Sequence, residues 1–258
     1  MDSETEAPIK ASPSPEDSPH NGPTSSASSP NPDHANSSPT LLLTEDAALS
    51  ILINRDLTAD EIDRLAKDSG VMKSRKVRLA LAAHPRAPRR IALRLIRELY
   101  TFDLMQFSLQ PAAAADLKRA ASELLITRLA SVTLGERLAL ARRSSAIVAA
   151  ALLLDKEARV WQTALENPRL TEAAVVKAVN SLSPTPQFVE AVCRHAKWSL
   201  RPEIRIALLR NPHTPLARAL EFARRLPPAQ LRDILHSSRL PEKIKDYLQR
   251  EREWRSRT

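Results

Sequence analysis

The chain has only three glycines in 258 residues, at positions 22, 70 and 135. Antiparallel sheets need glycine for their tight two-residue hairpin turns, so this scarcity argues against an all-β domain. Isolated glycines also provide neither a phosphate-binding loop nor a dinucleotide-binding fingerprint. Beyond residue 40 the sequence is instead dominated by Leu, Ala, Arg and Glu, which favour helices. The composition therefore predicts an all-α protein.

Cysteine and long apolar runs are scarce as well. Cys193 is the single cysteine, so an internal disulfide is excluded and a secreted disulfide scaffold is disfavoured. Residues 1–6 are acidic, whereas a secretory signal begins with positive charge. The longest apolar run covers nine residues, 146–154, and a membrane helix needs roughly 20. We therefore expect a cytoplasmic protein that makes no membrane contact, and the excess of arginine over lysine suggests a bacterial source.

Residues that could carry chemistry are few. Cys193 and His195 are two positions apart on an expected helix and therefore do not face each other, which disfavours a zinc site or a Cys–His nucleophile. Cys193 is expected in the core. His84, His213 and His236 fall at or beside repeated turns, either as ligands along one edge or as ordinary turn residues, and we favour the second. We expect no enzyme activity, catalytic residue, metal, cofactor or small-molecule substrate.

The first 40 residues differ in composition from the rest. They are rich in Ser, Pro and Asn, and their six acidic residues against one basic residue give a net charge of −5. Such a segment cannot bury enough apolar surface to offset the entropy lost on ordering. We expect residues 1–40 to be a disordered acidic tail. Residues 41–258, with 38 basic and 24 acidic residues and a net charge of +14, are expected to form a helical repeat domain.

From residue 41 a turn signature recurs between apolar helical segments. Its clearest copies begin at Asn54, His84, Asn167 and Asn211, and looser copies begin at Arg143 and Ser237. Asn can end a helix because it tolerates the left-handed backbone conformation, and a following Pro prevents the helix from continuing. Each copy therefore predicts a helix, a tight turn and a second helix. Since neither helix can bury its apolar face alone, neighbouring copies are expected to stack.

Two helix starts can be predicted from residue spacing. Thr58 followed by Glu61 is a capping box. Thr214 followed by Pro215 predicts an N-cap with proline at the first helical position.

The repeats resemble HEAT-like repeats, especially the short leucine-rich-variant repeats of bacteria. The pattern Val/Ile-Arg-x-Ala-Leu followed by Asn-Pro-x-Thr-Pro is best matched at 204–215 and 77–88, while Trp161 replaces the arginine in the copy at 160–171. The resemblance covers most of 41–250. It implies an α-solenoid of degenerate helical hairpins with a role in protein binding or assembly, and it implies no active site. Some HEAT-like proteins excise alkylated bases from DNA, but no matching catalytic motif is found.

Two stretches interrupt the repeat spacing. An aromatic-rich segment, 100–107, is expected to be an irregular link anchored by Tyr100, Phe102 and Phe107, and a long helix follows from about residue 111 to 130. A further helix is expected near 187–197. Trp161 and Trp198 are expected at contacts between repeats.

The strongest functional signal is a basic window with no acidic residue between Asp68 and Glu98. Its nine bases are Lys73, Arg75, Lys76, Arg78, Arg86, Arg89, Arg90, Arg94 and Arg97. The last three recur at i, i+4 and i+7 and so line one helix face, whereas Ile91, Leu95 and Leu99 line a buried one. The window is either a site for an acidic partner or a solvated surface. We expect a non-enzymatic α-solenoid scaffold for protein–protein interaction, with sequence-independent nucleic-acid binding through residues 73–97 as the alternative.

Overall fold

A computed structural model describes residues 43–181 and 184–257 of the chain. Within these ranges the structure contains fifteen α-helices, one 3-10 turn and no strand, so the prediction of an all-α protein is confirmed for this part of the chain. The predicted disordered tail, residues 1–40, lies outside the described residues. No helix in the described ranges is both long enough and apolar enough to cross a membrane.

The first eight helices cover residues 45–152. They are α1 (Glu45–Ile53), α2 (Ala59–Lys67), α3 (Arg75–Ala83), α4 (Arg89–Glu98), α5 (Thr101–Leu109), α6 (Ala115–Arg128), α7 (Leu134–Arg143) and α8 (Ala146–Leu152), and the 3-10 turn Val71–Lys73 lies between α2 and α3. The remaining seven are α9 (Ala158–Leu165), α10 (Glu172–Val179), α11 (Pro186–Arg194), α12 (Pro202–Arg210), α13 (Leu216–Arg224), α14 (Pro228–His236) and α15 (Glu242–Arg257).

The main helix packing connects elements one or two places apart along the chain. Neighbours pack in the pairs α3–α4, α5–α6, α7–α8, α8–α9, α12–α13 and α14–α15. Helices two places apart connect into an even-numbered series that runs from α4 through α6, α8, α10 and α12 to α14. The odd-numbered helices pack as α1–α3–α5, α7–α9–α11 and α13–α15. Each helix of the even series therefore has a neighbour of the same series on at least one side.

Local capping explains where several helices begin. The Thr58 hydroxyl accepts a hydrogen bond from the Glu61 backbone N–H, and the Glu61 carboxylate accepts one from the Thr58 N–H at 2.7 Å. The predicted capping box is thus confirmed. Thr133 and Glu136 form the same reciprocal pair at the start of α7. Each box satisfies backbone N–H groups that a helix start leaves without partners.

The expected left-handed helix ends do not occur at the turn residues. Asn54, His84 and Asn211 have φ angles of −68°, −65° and −89° with extended ψ. Their side chains turn the chain instead: the Asn54 Oδ1 accepts a hydrogen bond from the N–H two residues later at 3.0 Å, and the Asn211 Oδ1 does the same at 2.9 Å. A side chain that bonds its own backbone in this way replaces a positive φ.

The predicted N-cap at Thr214 is wrong. Thr214 is buried and its hydroxyl donates a 2.6 Å hydrogen bond to the carbonyl of Leu208, in the last turn of the preceding helix. The N-cap position of α13 is occupied by Pro215 and its first residue is Leu216. Thr214 therefore closes the end of α12 and does not open α13.

The expected irregular link at 100–107 is also wrong, because residues 101–109 form helix α5. Phe107 is fully buried as expected, whereas Phe102 and Tyr100 are exposed. Tyr100 instead lies under the guanidinium of Arg75, whose Cζ is 5.7 Å from the ring centre. The long helix predicted over 111–130 is α6, and the further helix predicted near 187–197 is α11.

A recurring contact joins each of four turns to the end of a helix two places earlier. The side chains of His84, Asn167, Asn211 and Ser238 are buried at these turns. Asn167 is typical: its Oδ1 accepts a hydrogen bond from the Arg169 N–H at 2.8 Å, and its Nδ2 donates to the carbonyl of Ala141 at 2.8 Å. Carbonyls in the last turn of a helix have no partner within that helix. The buried turn side chain therefore supplies a cap from a neighbouring copy, and we call these four contacts the turn ladder.

The other three turn-ladder contacts follow the same rule. His84 Nε2 donates to the Asn54 carbonyl at 3.0 Å, since its Nδ1 accepts a hydrogen bond from the Arg86 N–H. Asn211 Nδ2 donates to the Val179 carbonyl at 2.7 Å, and the Ser238 hydroxyl donates to the Leu209 carbonyl at 2.7 Å. The same kind of contact therefore occurs four times and is made by three residue types.

Candidate binding surfaces

The basic window lies on α3, α4 and the segments that precede them. Arg90, Arg94 and Arg97 are exposed on α4, whose buried face carries Ile91 and Leu95. This agrees with the expected division of α4 into an arginine face and an apolar face. The window therefore brings three guanidinium groups to one helix surface.

Four of the nine window bases are neutralised by acids outside the window. Arg75 Nε lies 2.6 Å from the buried carboxylate of Asp103, and this contact raises the pKa of the Arg75 guanidinium. The other three pairs are Lys76 with Glu45, Arg86 with Asp56 and Arg89 with Asp116. These bases are neighbours in sequence, but folding brings each of them next to an acid from another helix or turn.

Five window bases, Lys73, Arg78, Arg90, Arg94 and Arg97, form no ion pair with another described residue. Asp63 of α2 lies in their field. A hydrogen bond from Lys67, reinforced by Arg90 and Arg94, holds the pKa of Asp63 below its usual range. The unpaired charge of the window is thus concentrated on the exposed face of α4.

The cysteine and histidines do not assemble a reactive centre in the described residues. Cys193 is fully buried, as predicted, and burial raises the pKa of its thiol to about 12. A thiol with such a pKa stays protonated at neutral pH and is a poor nucleophile. His84 belongs to the turn ladder, whereas His213 is exposed at a turn and His236 is exposed at the end of α14. Within residues 43–181 and 184–257 no three His, Cys, Asp or Glu side chains gather to hold a metal ion.

Trp161 contacts a neighbouring helix, and Trp198, in the turn between α11 and α12, contacts the end of α9. The Trp161 ring of α9 packs edge-on against Phe188 of α11, with ring centres 5.5 Å apart. The indole N–H of Trp198 donates a 2.9 Å hydrogen bond to the carbonyl of Leu165 at the end of α9. These aromatic groups stabilise the junction between α9 and the segment that leads to α12.

An apolar groove lies along three consecutive helices of the even series, α6, α8 and α10. Its volume is about 910 Å³, and its walls include Ile126 of α6, Ile147 and Leu154 of α8 and its following turn, and Ala174 and Lys177 of α10. Alanines make up much of the remaining lining. Its volume is near the upper end of the roughly 300–1,000 Å³ found for binding pockets.

Helix α8 shows why the groove is apolar. Val148, Ala149 and Leu152 face the core and are buried, while Ile147 and Leu154 on the opposite side are 45% and 60% exposed. A seven-residue helix composed of apolar residues cannot direct all of them inward when it packs on one side only. Large exposed apolar groups that line a concavity are typical of interaction sites.

The sequence analysis missed this groove, although it contains a signal for it. Residues 146–154 form the longest apolar run in the chain. This run is too short for a membrane helix, but it is a signal for a helix with apolar residues on every side. A helix that is apolar on every side is either wholly buried or has a partner on its outer face. Sequence alone does not decide between these outcomes, since the decision depends on how many sides neighbouring helices cover.

The fold thus defines an all-α protein whose helices pack on near neighbours along the chain and cap one another through buried turn side chains. No family model matches the chain, and no significant match was found among curated proteins or solved structures.

Proposed function

We propose that this protein is a non-enzymatic α-solenoid scaffold that binds a helix of another protein in the apolar groove of α6, α8 and α10. The groove itself is the observation that carries this proposal: about 910 Å³ of mostly apolar, open space lined by the exposed side chains of Ile147 and Leu154. The proposal assigns binding, and no catalytic step, to this surface.

The packing order supports a solenoid of HEAT-like helical hairpins. The main helix contacts join elements one or two places apart, which is the contact pattern of a stacked repeat array. The turn ladder supports the same arrangement, because each of its contacts links a turn to the end of the helix two places earlier. In such an array the second helices of the hairpins form a continuous surface, and α8 and α10 are second helices.

A helix is the occupant best suited to the groove. The apolar walls provide few hydrogen-bond partners, so a bound segment has to satisfy its own backbone N–H and C=O groups. An α-helix does so internally. An extended peptide would need a strand edge, and the described residues contain no strand. Apolar side chains of the partner, at i, i+3, i+4 and i+7, would fill the space between α8 and α10.

Charge narrows the choice of partner further. Among the described residues, Lys177 is the one charged side chain that lines the groove. A partner helix with an acidic residue beside its apolar stripe would complement this ammonium group, and one with a basic residue there would be disfavoured. The expected partner is therefore an amphipathic helix that is acidic at the edge of its apolar face.

A display selection tests the proposal with the full-length protein as bait. The library consists of 16-residue peptides, and the selection is repeated with Ile147→Asp, Ala150→Glu and a control, Ala229→Glu, which makes an equivalent change on the exposed surface of α14. We expect enriched peptides to have apolar residues at helical spacing and an adjacent acid. Their binding should fall at least about tenfold in both groove variants and stay unchanged in the control.

Other outcomes of this experiment would overturn the proposal. Enriched peptides without helical periodicity, or ones that bind the groove variants as well as the original chain, would exclude the groove as a helix site. If light scattering shows a dimer that Ile147→Asp converts to a monomer, the occupant is a second copy of the chain and not a partner protein.

Sequence-independent nucleic-acid binding is the second candidate function, and the exposed face of α4 favours it. Arg90, Arg94 and Arg97 project from one helix and have no ion pair within the described ranges. Such a face attracts phosphates whatever the base sequence. Retention on a DNA column as salt rises separates this candidate from the first, since a phosphate binder loses affinity steeply.

A further inference from the structure

A second groove lies between α7 and α9, two consecutive helices of the odd series. It has a volume of about 520 Å³ and is lined by Leu138, Ala139, Arg142 and Arg143 on one side and by Arg159, Gln162 and Thr163 on the other. Because α8 packs on both α7 and α9, this groove and the apolar groove involve alternate helices of the stack. We call it the arginine groove.

The three arginines of this groove form no ion pair in the described part of the chain. All three are exposed, and none forms an ion pair with another described residue. Two acids of these helices and their flanking turns are engaged elsewhere: Glu136 in the capping box of α7, and Asp155 in a two-point contact with Arg137. Glu157 lies at the N-cap of α9 and forms no ion pair with these arginines.

The position of Arg159 is the most informative feature. Arg142 and Arg143 lie in the last turn of α7, where the helix dipole stabilises positive charge. Their presence therefore has a structural explanation. Arg159 lies in the first turn of α9, where the dipole is positive and a cation is unfavourable. Its guanidinium lines the groove and forms no ion pair with a described acid. A bound anion would remove this repulsion.

The spacing of the charges indicates what the groove accommodates. Leu138 and Arg142 are one helical turn apart, about 6 Å along α7, and so are Arg159 and Thr163 along α9. Arg142 and Arg143 end α7 and Arg159 begins α9, while the hydrogen bond from Asn167 to the carbonyl of Ala141 brings the C-terminal ends of these two helices together. Positive groups therefore stand at both ends of a short channel with Leu138 and Ala139 on its wall. Two anionic side chains with an apolar residue between them would match this order of charge, apolar wall and charge.

We propose that the arginine groove binds an acidic peptide segment, through carboxylate or phosphate oxygens held by Arg142, Arg143 and Arg159. Arginine is suited to this role because its planar fork can hold two oxygens of one group. Single-stranded nucleic acid fits less well, because its bases stack on aromatic side chains and none of the described residues that line the groove is aromatic. The inference goes beyond the proposed function, since it assigns a separate surface that can bind whether or not the apolar groove does.

Fluorescence anisotropy with the full-length protein at low salt tests this inference. The probes are a labelled 12-residue peptide of alternating Glu and Leu, the same peptide with phosphoserine in place of Glu, its uncharged Gln counterpart, and a 12-nucleotide oligo(dT). The site variant combines Arg142→Glu with Arg159→Glu. A control with the same charge change combines Arg55→Glu with Arg201→Glu, at exposed arginines outside both grooves.

We expect the site variant to bind the Glu peptide about tenfold more weakly than the original chain does. The affinity of the control variant for this peptide should fall by less than about twofold. The Gln peptide should bind to neither variant. The phosphoserine arm tells which oxyanion is preferred, and either preference agrees with the inference. Equal losses in the site variant and the control would overturn it, because the attraction would then come from net charge alone. Tighter binding of oligo(dT) through the same arginines would replace the peptide site with a nucleic-acid site. An Arg142→Gln and Arg159→Gln pair repeats the test if the Glu variant melts at a lower temperature.

Discussion

The side-chain amide nitrogen of Asn211 donates a 2.7 Å hydrogen bond to the carbonyl oxygen of Val179, 32 positions earlier in the chain. Both groups are buried, and the same Asn211 side chain also accepts a hydrogen bond from the His213 N–H at 2.9 Å. One residue thus shapes its own turn and caps the last turn of α10. This double role explains why Asn recurs at the turns, and it leads to the first two predictions.

Replacing a turn-ladder asparagine should destabilise the protein more than the same change at an exposed turn. Asn211→Ala and Asn167→Ala each leave a buried carbonyl unpaired, which costs about 1–3 kcal/mol. Asn54→Ala is the matched control, because Asn54 is exposed and its side chain makes only the bond to the Asp56 N–H within the described residues. We expect the control to cost less than about 1 kcal/mol. Urea unfolding measures the free energies, and equal losses at all three sites would contradict the ladder.

His84 should be replaceable by asparagine but not by alanine. In both residue types one side-chain atom accepts from the N–H two residues later and another donates to a carbonyl of an earlier copy, as His84 and Asn167 do. His84→Asn is expected to stay within about 1 kcal/mol of the original chain, and His84→Ala to lose about 1–3 kcal/mol. Two variants with the same unfolding midpoint would show that the hydrogen bonds of His84 contribute nothing.

Helix α8 should tolerate charge on one face and reject it on the other. Leu152 is 1% exposed, so Leu152→Asp buries an unpaired carboxylate and should prevent stable folding. Ile147→Asp, on the groove side, should change the unfolding free energy by no more than about 0.5 kcal/mol. Circular dichroism and thermal unfolding provide the comparison. If Ile147→Asp unfolds the protein, Ile147 belongs to the core and the apolar groove is closed.

The sequence predicted best those features that depend on residues a few positions apart. The Thr58–Glu61 capping box is local, and its spacing alone identified it. The prediction of an N-cap at Thr214 failed because this side chain is buried and bonds to the carbonyl of Leu208, a contact that spacing along the sequence does not reveal. The prediction of an irregular link at 100–107 failed because it was based on the aromatic residues, whereas Leu104 and Phe107 lie on one buried helical face.

The candidate sites were harder to predict, since they depend on which side chains folding brings together. The nine bases at 73–97 form one continuous signal in the sequence, but folding pairs Arg75 with Asp103, which is 28 positions away. The arginine groove is the reverse case. Arg142 and Arg159 lie on different helices, and only the packing of α7 on α9 brings them into one groove.

The paired and unpaired bases of the window should differ in polyanion binding. Changing Arg90, Arg94 and Arg97 to Glu should weaken DNA binding and reduce the slope of log K against log salt by roughly 2–3, if each arginine contacts one phosphate. Lys76, Arg86 and Arg89 already have acidic partners, so the same change at these three should have a smaller effect. Salt titrations of both triple variants measure this. If the two triple variants have equal slopes, the basic window is a solvated surface and not a phosphate-binding site.

The arginine face of α4 should also be detectable through Asp63. Its pKa lies below the usual range because Lys67 donates a hydrogen bond to it and Arg90 and Arg94 add positive potential. A depressed folded-state pKa stabilises the fold at pH values above the unfolded pKa, and this contribution is lost as pH falls through the folded value. Changing Arg90 and Arg94 to Glu should raise the pKa of Asp63 toward its usual range, while Lys67 keeps it partly depressed. Carboxyl NMR titration measures the shift, and an unchanged pKa would place these arginines outside the field of Asp63.

Methyl NMR of the full-length chain with a selected peptide tests the central claim most directly. The claim predicts that adding the peptide shifts the methyl signals of Ile126, Ile147 and Leu154, which line the apolar groove of α6, α8 and α10. It also predicts that core methyls distant from the groove, such as those of Ile62, stay unchanged. Shifts concentrated on other surfaces, with the groove signals unmoved, would contradict the proposal that this protein is a scaffold that binds a partner helix there.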